Sequence, residues 1–281
     1  MGTSIGKPPI LSAEQRKVNQ NLRGFFMAPS MVRIGLLATG NEITEGDILN
    51  TDGQVIAQAL AKLGYTLGLH VVAPDDDNDI QQALRFLLQT HDVVIMTGGL
   101  GPTSDDRTRY ALSAVTGQEL QFDEASWEQI CVRVQQRLGR EPHPANRQQA
   151  LFPRGAQVIP NKNGTAAGCW LQHESKTIYM LPGPPLECIP MFEETVLPHL
   201  LAQYLHSAKT KLTWQLKGAV ESEIAALIDE AVQGFPVQTG YRAHSPFLEI
   251  KIYMPAGAQL DAMLAAVEKI VAPFLVKDET N

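Results

Sequence analysis

Short apolar runs alternate with segments of helical spacing in the first half of this sequence. Val32 to Ala38, Thr66 to Ala73 and Val93 to Met96 are runs rich in valine, isoleucine and leucine, which is typical of buried strands. Two helical segments separate them, and their apolar residues are Val55, Ile56, Ala59, Leu60, Leu63 and Ile80, Ala83, Leu84, Leu87, Leu88. This alternation predicts βαβ crossovers and a mostly parallel sheet with helices on both faces.

The pattern changes after the third strand. We expect helices over 123–138 and 144–151, a strand at 158–160, a hairpin over 169–181 and then another helix. Beyond His206 the order becomes strand, helix, strand, strand, helix, with Leu248, Ile250, Ile252 and Met254 alternating with polar residues. An antiparallel sheet with one buried face has this alternation, so the segment reads as a small α+β domain.

Three regions follow from these patterns. Residues 1–30 lack apolar periodicity and are expected to form an N-terminal tail that the fold does not need. Residues 31–205 are expected to form the α/β domain, and residues 206–281 the small domain. The predicted fold class is a three-layer α/β/α mostly parallel sheet with a second, smaller α+β domain.

Composition sets limits on the function. The chain has 281 residues, is 44% hydrophobic and 19% charged, and has a net charge of -7, so it reads as a globular protein and not as a strong nucleic-acid binder. No apolar run has the length of a membrane span. Cys131, Cys169 and Cys188 form no CxxC pair, which argues against a zinc site or a disulfide framework and favours the cytoplasm.

The stretch from Gly98 to Asp106 holds the strongest chemical signal. It follows an apolar strand with Gly98, Gly99 and Gly101, and glycine permits the close approach of a ligand to peptide N–H groups. Thr103 or Ser104 is predicted to begin a helix, which would place a positive helix end near an anion such as phosphate. The glycine spacing fits neither the Walker A motif nor the dinucleotide fingerprint.

The two aspartates of this loop allow two interpretations. Asp106 either holds a divalent metal ion that bridges to a phosphate, or it complements the helix dipole together with Asp105. Because ligands bind at the carboxyl ends of parallel strands, the loops after the first three strands should bring Glu42, Asp75 and Asp106 to one crevice.

Several motifs match one known family in order. They are Thr39-Gly40-Asn41-Glu42, Asn50-Thr51, Gly98 to Asp106, Asn146 to Ala150, Asn161 to Gly168 and Pro182-Gly183-Pro184-Pro185. Together they resemble the amino-terminal part of the CinA (competence/damage-inducible) family, which has the molybdopterin-binding fold. The family usually has aspartate where this chain has Asn41, which puts a metal ligand at that position in doubt.

The resemblance implies a molybdopterin-binding-fold domain followed by a KH-like domain. It also implies hydrolysis of ADP-ribose to AMP and ribose 5-phosphate by a cytoplasmic homodimer with a divalent metal ion (Mg, Mn or Co). Longer relatives carry a nicotinamide-mononucleotide deamidase domain that does not match here, so we expect no such activity.

Roles for individual residues also follow from the resemblance. Asp106 and Asp75 would be metal ligands and catalytic groups, with Glu42 as a third catalytic candidate, and Asp105 would complement the helix dipole. The substrate-binding candidates are Thr39, Gly40, Asn50, Gly98, Gly99, Gly101, Pro102, Thr103, Asn146, Asn161, Lys162, Gly164, Thr165, Ala166, Pro182 and Gly183.

Two other functions remain open at this stage. A molybdopterin adenylyltransferase would use the same loop and carboxylates, and a nucleotide-binding module without turnover is kept open by Asn41. RNA binding is not expected, because Gly218-Ala219-Val220-Glu221 lacks the second glycine of a KH clamp and the segment 206–281 is net acidic.

Overall fold

The structure, a computed structural model, describes residues 32–65, 67–204 and 209–276. The predicted tail at residues 1–30 lies outside the described residues. Within the described ranges, no helix is long and apolar enough to cross a membrane.

A six-stranded sheet forms the middle layer, in the order β2-β1-β3-β8-β7-β6. Strands β2, β1, β3 and β8 run parallel, and β7 is antiparallel to both of its neighbours. The prediction of a mostly parallel sheet is therefore confirmed. The first eight strands are β1 (Ile34–Thr39), β2 (Leu67–Ala73), β3 (Val93–Thr97), β4 (Leu120–Phe122), β5 (Leu151–Pro153), β6 (Gln157–Ile159), β7 (Gly168–His173) and β8 (Lys176–Leu181).

Helices cover both faces of this sheet. The α-helices of the described residues up to 204 are α1 (Asn41–Thr44), α2 (Thr51–Lys62), α3 (Asp77–Thr90), α4 (Thr108–Thr116), α5 (Glu124–Leu138), α6 (Pro185–Met191) and α7 (Leu197–Gln203), and the π-helix Phe192–Val196 joins α6 to α7. Leu84 of α3 and Leu112 of α4 pack with Met96 on one face, while Leu60 of α2 and Leu200 of α7 pack with Ile95 on the other. Alternate residues of β3 thus enter opposite cores, which is why its sequence is apolar throughout.

One local prediction was wrong, and one pair of strands was not predicted. The helix expected over 144–151 is present, as the 3-10 helix Pro144–Ala150. The short antiparallel pair β4–β5 was not predicted, because three-residue strands have too little periodicity to detect. Helix α4 begins at Thr108 and not near Thr103 or Ser104, and its N-cap Arg107 makes no side-chain capping bond.

The described residues from 209 onward form a three-stranded antiparallel sheet in the order β10-β11-β9. Its elements are β9 (Lys209–Lys217), α8 (Glu221–Ala231), β10 (Gln238–His244), β11 (Phe247–Pro255) and α9 (Asp261–Val271). The predicted order of strand, helix, strand, strand, helix is confirmed. Ile250 and Ile252 pack with Ile228 of α8 and Val267 of α9, so both helices cover the same face of the sheet.

Candidate functional site

A cavity of about 840 Å³ lies at the carboxyl ends of the parallel strands. Strands β1, β3 and β8 end at Thr39, Thr97 and Leu181, and the loops that follow them form its walls. The convergence of Glu42, Asp75 and Asp106, expected from the strand order, is confirmed because all three line this cavity.

The loop from Gly98 to Asp106, which we call the glycine loop, is tightly packed against its neighbours. Gly98 and Gly99 have φ angles of 96° and 64°, in the region that favours glycine. A Cβ atom on Gly98 would collide with the carbonyl oxygen of Thr39, and one on Gly99 with the hydroxyl of Thr108. In the described part of the chain, the N–H groups of Gly99 and Leu100 donate to no protein atom, so two adjacent donors are free at the cavity wall.

Asp106 organises this loop. Its Oδ1 accepts a hydrogen bond from Gly101 N–H at 2.7 Å, and its Oδ2 accepts bonds from the N–H and the hydroxyl of Thr103 at 2.8 and 2.6 Å. Asp105 and Asp106 were predicted to occupy the first turn of a helix, and this is wrong. Since Asp106 N–H donates to Thr103 O, the chain makes a further turn before α4 begins.

Two side chains hold the loop from outside the cavity. The buried Arg109 donates to the carbonyl oxygens of Leu100 and Gly101 at 2.6 and 3.3 Å. Gln148 donates to the carbonyl oxygens of Gly101 and Thr103 at 3.0 and 2.7 Å. These four bonds fix the backbone of the loop directly after Gly99 and Leu100, the two residues whose N–H groups are free.

The loops after β1 and β2 are joined by a reciprocal pair of hydrogen bonds. Asn41 N–H donates to Asp75 Oδ2 at 3.0 Å, and Asp75 N–H donates to Asn41 Oδ1 at 3.1 Å. Burial raises the pKa of the Asp75 carboxyl, the Asn41 bond lowers it, and the carboxylates of Glu42, Asp105 and Asp106 raise it further. Asn41 therefore positions Asp75 without adding another negative charge.

Asp52 is a buried carboxylate in the cavity wall that the sequence reading missed. It lies in the first turn of α2 and is 6% exposed. Burial raises the pKa of Asp52 to about 6, and a hydrogen bond with the thiol of Cys188 partly offsets that increase. Its Oδ1 has no hydrogen-bond partner. Asn50 caps the same helix by accepting from Gly53 N–H at 3.0 Å.

Hydrogen bonds of Asn161 and Glu187 fix another part of the cavity wall, the loop from Asn161 to Ala166. Asn161 Oδ1 accepts from the N–H groups of Asn163 and Gly164, and its Nδ2 donates to Ala166 O at 2.9 Å and Glu187 Oε2 at 2.6 Å. A Cβ atom on Gly164 would collide with the Glu187 carboxylate. Asn161 and Gly164 therefore shape the loop that brings Thr165 and Ala166 to the cavity.

Most of the predicted substrate-binding residues reach the cavity, but five do not. Those in the wall are Thr39, Gly40, Asn50, Gly98, Gly99, Gly101, Pro102, Thr165, Ala166, Pro182 and Gly183. Those outside it are Thr103, Asn146, Asn161, Lys162 and Gly164. Asn146 donates to Gln149, which itself lines the cavity, and Lys162 forms an ion pair with Glu194 at 2.6 Å.

The charged side chains of the described cavity wall are all acidic, and no Lys, Arg or His lies among them. They are Glu42, Asp52, Asp75, Asp105, Asp106 and Glu187. Their negative charge disfavours a phosphate unless a cation accompanies it. Among the described side chains, no three or more His, Cys, Asp or Glu residues are grouped to hold a metal ion by themselves.

Comparison with protein families identifies the larger domain. Residues 35–202 match the model of a family described as "Probable molybdopterin binding domain". The CinA-like protein of Citrifermentans bemidjiense is 38% identical over 228 residues, which cover 81% of this chain and 54% of that protein. The CinA-like protein of Geotalea daltonii is 35% identical over 254 residues, covering 89% of this chain and 59% of that protein. The chain thus spans little more than half the length of these relatives.

A solved structure supports the same relationship. The CinA protein of Thermoplasma acidophilum aligns with a TM-score of 0.55 and 30% sequence identity, covering 60% of this chain and 98% of the other. The resemblance to CinA-like proteins and the predicted fold class are therefore confirmed. The ligand and the reaction are a separate question.

Proposed function

Because the chain belongs to the family of the probable molybdopterin-binding domain, we propose that it hydrolyses ADP-ribose to AMP and ribose 5-phosphate with the help of a divalent metal ion. Water attacks one phosphorus of the pyrophosphate, and the bond from that phosphorus to the bridging oxygen breaks. The proton lost by the water is released to solvent.

The charge pattern of the cavity is the observation that carries this proposal. The free N–H donors of Gly99 and Leu100 belong to a cavity wall whose charged side chains are all carboxylates. Two like charges about 5 Å apart repel by roughly 3 kcal/mol near a protein surface. A pyrophosphate therefore gains from the donors only when a cation neutralises part of the wall.

The carboxylates present fit a cation that shares its ligands with a phosphate. Asp75 has one oxygen bonded to Asn41 and the other free of hydrogen bonds, and its pKa is raised first by burial and then by nearby carboxylates. Mg²⁺ is commonly held by one or two carboxylates together with substrate phosphates and water. Asp75 would hold such an ion. Both oxygens of Asp106 already accept hydrogen bonds from the loop, so its role as the second ligand stays a prediction. When bound, the ion would polarise the phosphoryl group and activate a water molecule.

The chain's own residues then bind and orient the substrate. The N–H groups of Gly99 and Leu100 would donate to phosphoryl oxygens, and preorganised donors of this kind stabilise developing negative charge. Arg109 and Gln148 keep those donors in place through the loop carbonyls. The turn Pro182-Gly183-Pro184-Pro185 forms a rigid part of the cavity wall, and its Gly183 lies against the backbone of Gly98.

Adenylyl transfer to molybdopterin is the second candidate, and the family match favours it. This reaction joins AMP from ATP to the pterin phosphate and releases pyrophosphate, so it would use the same loop and cation. Incubation with molybdopterin and Mg-ATP, followed by detection of the adenylylated pterin, would distinguish it from hydrolysis.

Hydrolysis is tested by measuring AMP released from ADP-ribose by the purified chain, with Mg²⁺, Mn²⁺ or Co²⁺ and with a chelator. We expect metal-dependent turnover, and about a 100-fold loss in Asp75→Asn, the size of effect seen when one preorganised electrostatic group is removed. Asp79→Asn, at an exposed position outside the cavity, should retain full activity.

Two outcomes would contradict the proposal. Turnover that persists in the presence of the chelator would show that the reaction needs no divalent cation. Full activity in Asp75→Asn would show that Asp75 is not part of the active site. Metal-dependent binding of AMP with no turnover of ADP-ribose would instead support a nucleotide-binding module. The predicted homodimer is checked separately, by sedimentation.

A further inference from the structure

The three-stranded sheet has one face that its helices leave open. Residues alternate between faces in each strand. Phe247 of β11 pairs with Lys217 on one side and His244 on the other, and Tyr253 of β11 pairs with Lys211. Leu248, Ile250, Ile252 and Met254 are buried against α8 and α9. The residues of the opposite face, which we call the open sheet face, are Lys211, Thr213, Gln215, Lys217, Gln238, Gly240, Arg242, His244, Phe247, Glu249, Lys251 and Tyr253. All of them are exposed or half-buried.

Basic side chains are concentrated on this face. It carries Lys211, Lys217, Arg242 and Lys251 but only one carboxylate, Glu249. Glu249 pairs with Lys251 at 2.5 Å, and its pKa is lowered by that bond and then by Arg242 and Lys211. The other described carboxylates of this region lie on the helices, at Glu221, Glu223, Asp229, Glu230, Asp261 and Glu268. The fold therefore separates the two signs of charge, although the segment as a whole is acidic.

Aromatic rings lie beside two of these cations. Phe247 is the neighbour of Lys217 across the sheet, and its ring centroid is 5.9 Å from that of His244. Tyr253 is the neighbour of Lys211. Consecutive residues of one face are about 6.7 Å apart along a strand, so both rings and all four cations fit within a patch about 20 Å long.

We propose that the open sheet face binds single-stranded nucleic acid. Lysine and arginine attract the phosphates by a charge interaction that does not depend on sequence. Exposed rings on a flat sheet stack on unpaired bases, an arrangement in which affinity comes from rings and cations together. A duplex hides its bases and gains only from the charges. This site is unrelated to a KH clamp, and it opposes the expectation from net charge that nucleic acid is not a partner.

The first test measures binding of the full chain to a fluorescent 12-nucleotide strand by anisotropy, in about 50 mM salt. Neutralising about three phosphates predicts a slope near -2 in log affinity against log salt, or about 15-fold weaker binding at 200 mM. The double variant Lys211→Gln with Arg242→Gln should weaken binding at least tenfold. Lys269→Gln, an exposed lysine of α9 on the helix layer, is the matched control and should bind as the parent does.

The second test separates stacking from charge alone. Tyr253→Leu and Phe247→Leu keep every charge, and each should weaken binding to the single strand about tenfold. Neither should change the weaker binding of inorganic polyphosphate. Equal loss in the Lys269→Gln control, no binding at low salt, or stacking variants that bind as the parent does would each overturn the proposal.

An interface between two copies of the chain is the other use of such a face. If the double variant changed the sedimentation coefficient and left strand binding intact, the open sheet face would be a protein interface and the proposal would be wrong. Because all the substituted positions are exposed or half-buried, melting curves should stay close to that of the parent.

Discussion

The carboxylate of Asp106 accepts hydrogen bonds from the glycine loop itself, so it stabilises the loop whether or not a ligand is bound. Its three hydrogen bonds come from Gly101 and Thr103, so the residue fixes the backbone that presents Gly99 and Leu100. Asp105, next in sequence, is exposed and lines the same cavity. The two neighbours therefore have different roles, although both were predicted to lie on a helix.

Asp106→Asn should separate these roles. The amide keeps one acceptor oxygen but places an NH₂ group against the N–H of Gly101 or Thr103, so the loop loses at least one bond. We expect the free energy of unfolding to fall by about 1–3 kcal/mol and turnover of ADP-ribose to fall by about 100- to 1000-fold. Asp105→Asn should cost less than twofold in turnover. Equal losses in the two variants would show that Asp106 has no special position in the loop.

Asp52 should make stability depend on pH. Its pKa is raised from 3.8 to about 6, so the folded state holds the proton more tightly than the unfolded state does. The stabilisation from the protonated form is complete below pH 3.8 and is lost as the pH rises through about 6. A shift of this size corresponds to a loss on the order of 2–3 kcal/mol.

Asp52→Asn removes that titration. The melting temperature of the parent should fall relative to the variant between about pH 4 and 7, when both are measured in the same buffers. Asp79→Asn, an exposed carboxylate of α3, is the control and should run parallel to the parent. Parallel curves for Asp52→Asn as well would mean that Asp52 titrates normally.

At the scale of an element, a comparison of Gly99 with Gly117 shows why residues of the glycine loop must be small. Gly99 and Gly117 have nearly the same φ angle, 64° and 68°, but differ in their surroundings. A Cβ atom on Gly99 would strike Thr108, whereas one on Gly117, at the end of α4, would meet no atom within 4 Å. The pair therefore separates backbone strain from crowding.

Alanine at each position measures the two costs. Gly117→Ala should lower the free energy of unfolding by about 1–2 kcal/mol, the cost of the left-handed conformation. Gly99→Ala should lower the free energy of unfolding by a further amount of about 1–3 kcal/mol, because the new methyl group overpacks the contact with Thr108. It should also weaken AMP binding, because the loop must shift. Urea denaturation and calorimetric titration would give both quantities. If the two variants were equally stable, the contact with Thr108 would not constrain the loop.

The register of the three-stranded sheet determines which side chains lie together on each of its faces. Alternation in β11 was visible in the sequence and correctly assigned Leu248 and Ile250 to a buried face. It did not show that Lys211 and Arg242, which are distant in sequence, share the opposite face. That follows only from the pairing of β9 and β10 on either side of β11.

At the scale of the whole molecule, the tail is predicted to be dispensable. Residues 1–30 lack apolar periodicity, and β1 pairs with β2 on one side and with β3 on the other. A shortened chain that begins at Met31 should melt within a few degrees of the full chain. A drop of more than about 10 °C, which corresponds to several kcal/mol in a chain of this size, would show that residues 1–30 support the fold.

The sequence by itself determined the layered fold and the location of the site. Period-two and helical spacing reflect which side of an element is buried, so they specified the parallel sheet, its two helical layers and the small α+β region. Parallel strands carry their following loops to one edge, which was enough to bring Glu42, Asp75 and Asp106 together.

Only the tertiary structure decided which partner each side chain meets. Asp52 bonds with Cys188, and Asn161 with Glu187, across long separations in sequence that no local pattern encodes. The same contacts made Asp106 the organiser of the loop, excluded Lys162 from the cavity and placed a basic face on an acidic segment. Periodicity reports the direction in which a side chain points, whereas charge and chemistry depend on what the packing of distant elements places opposite it.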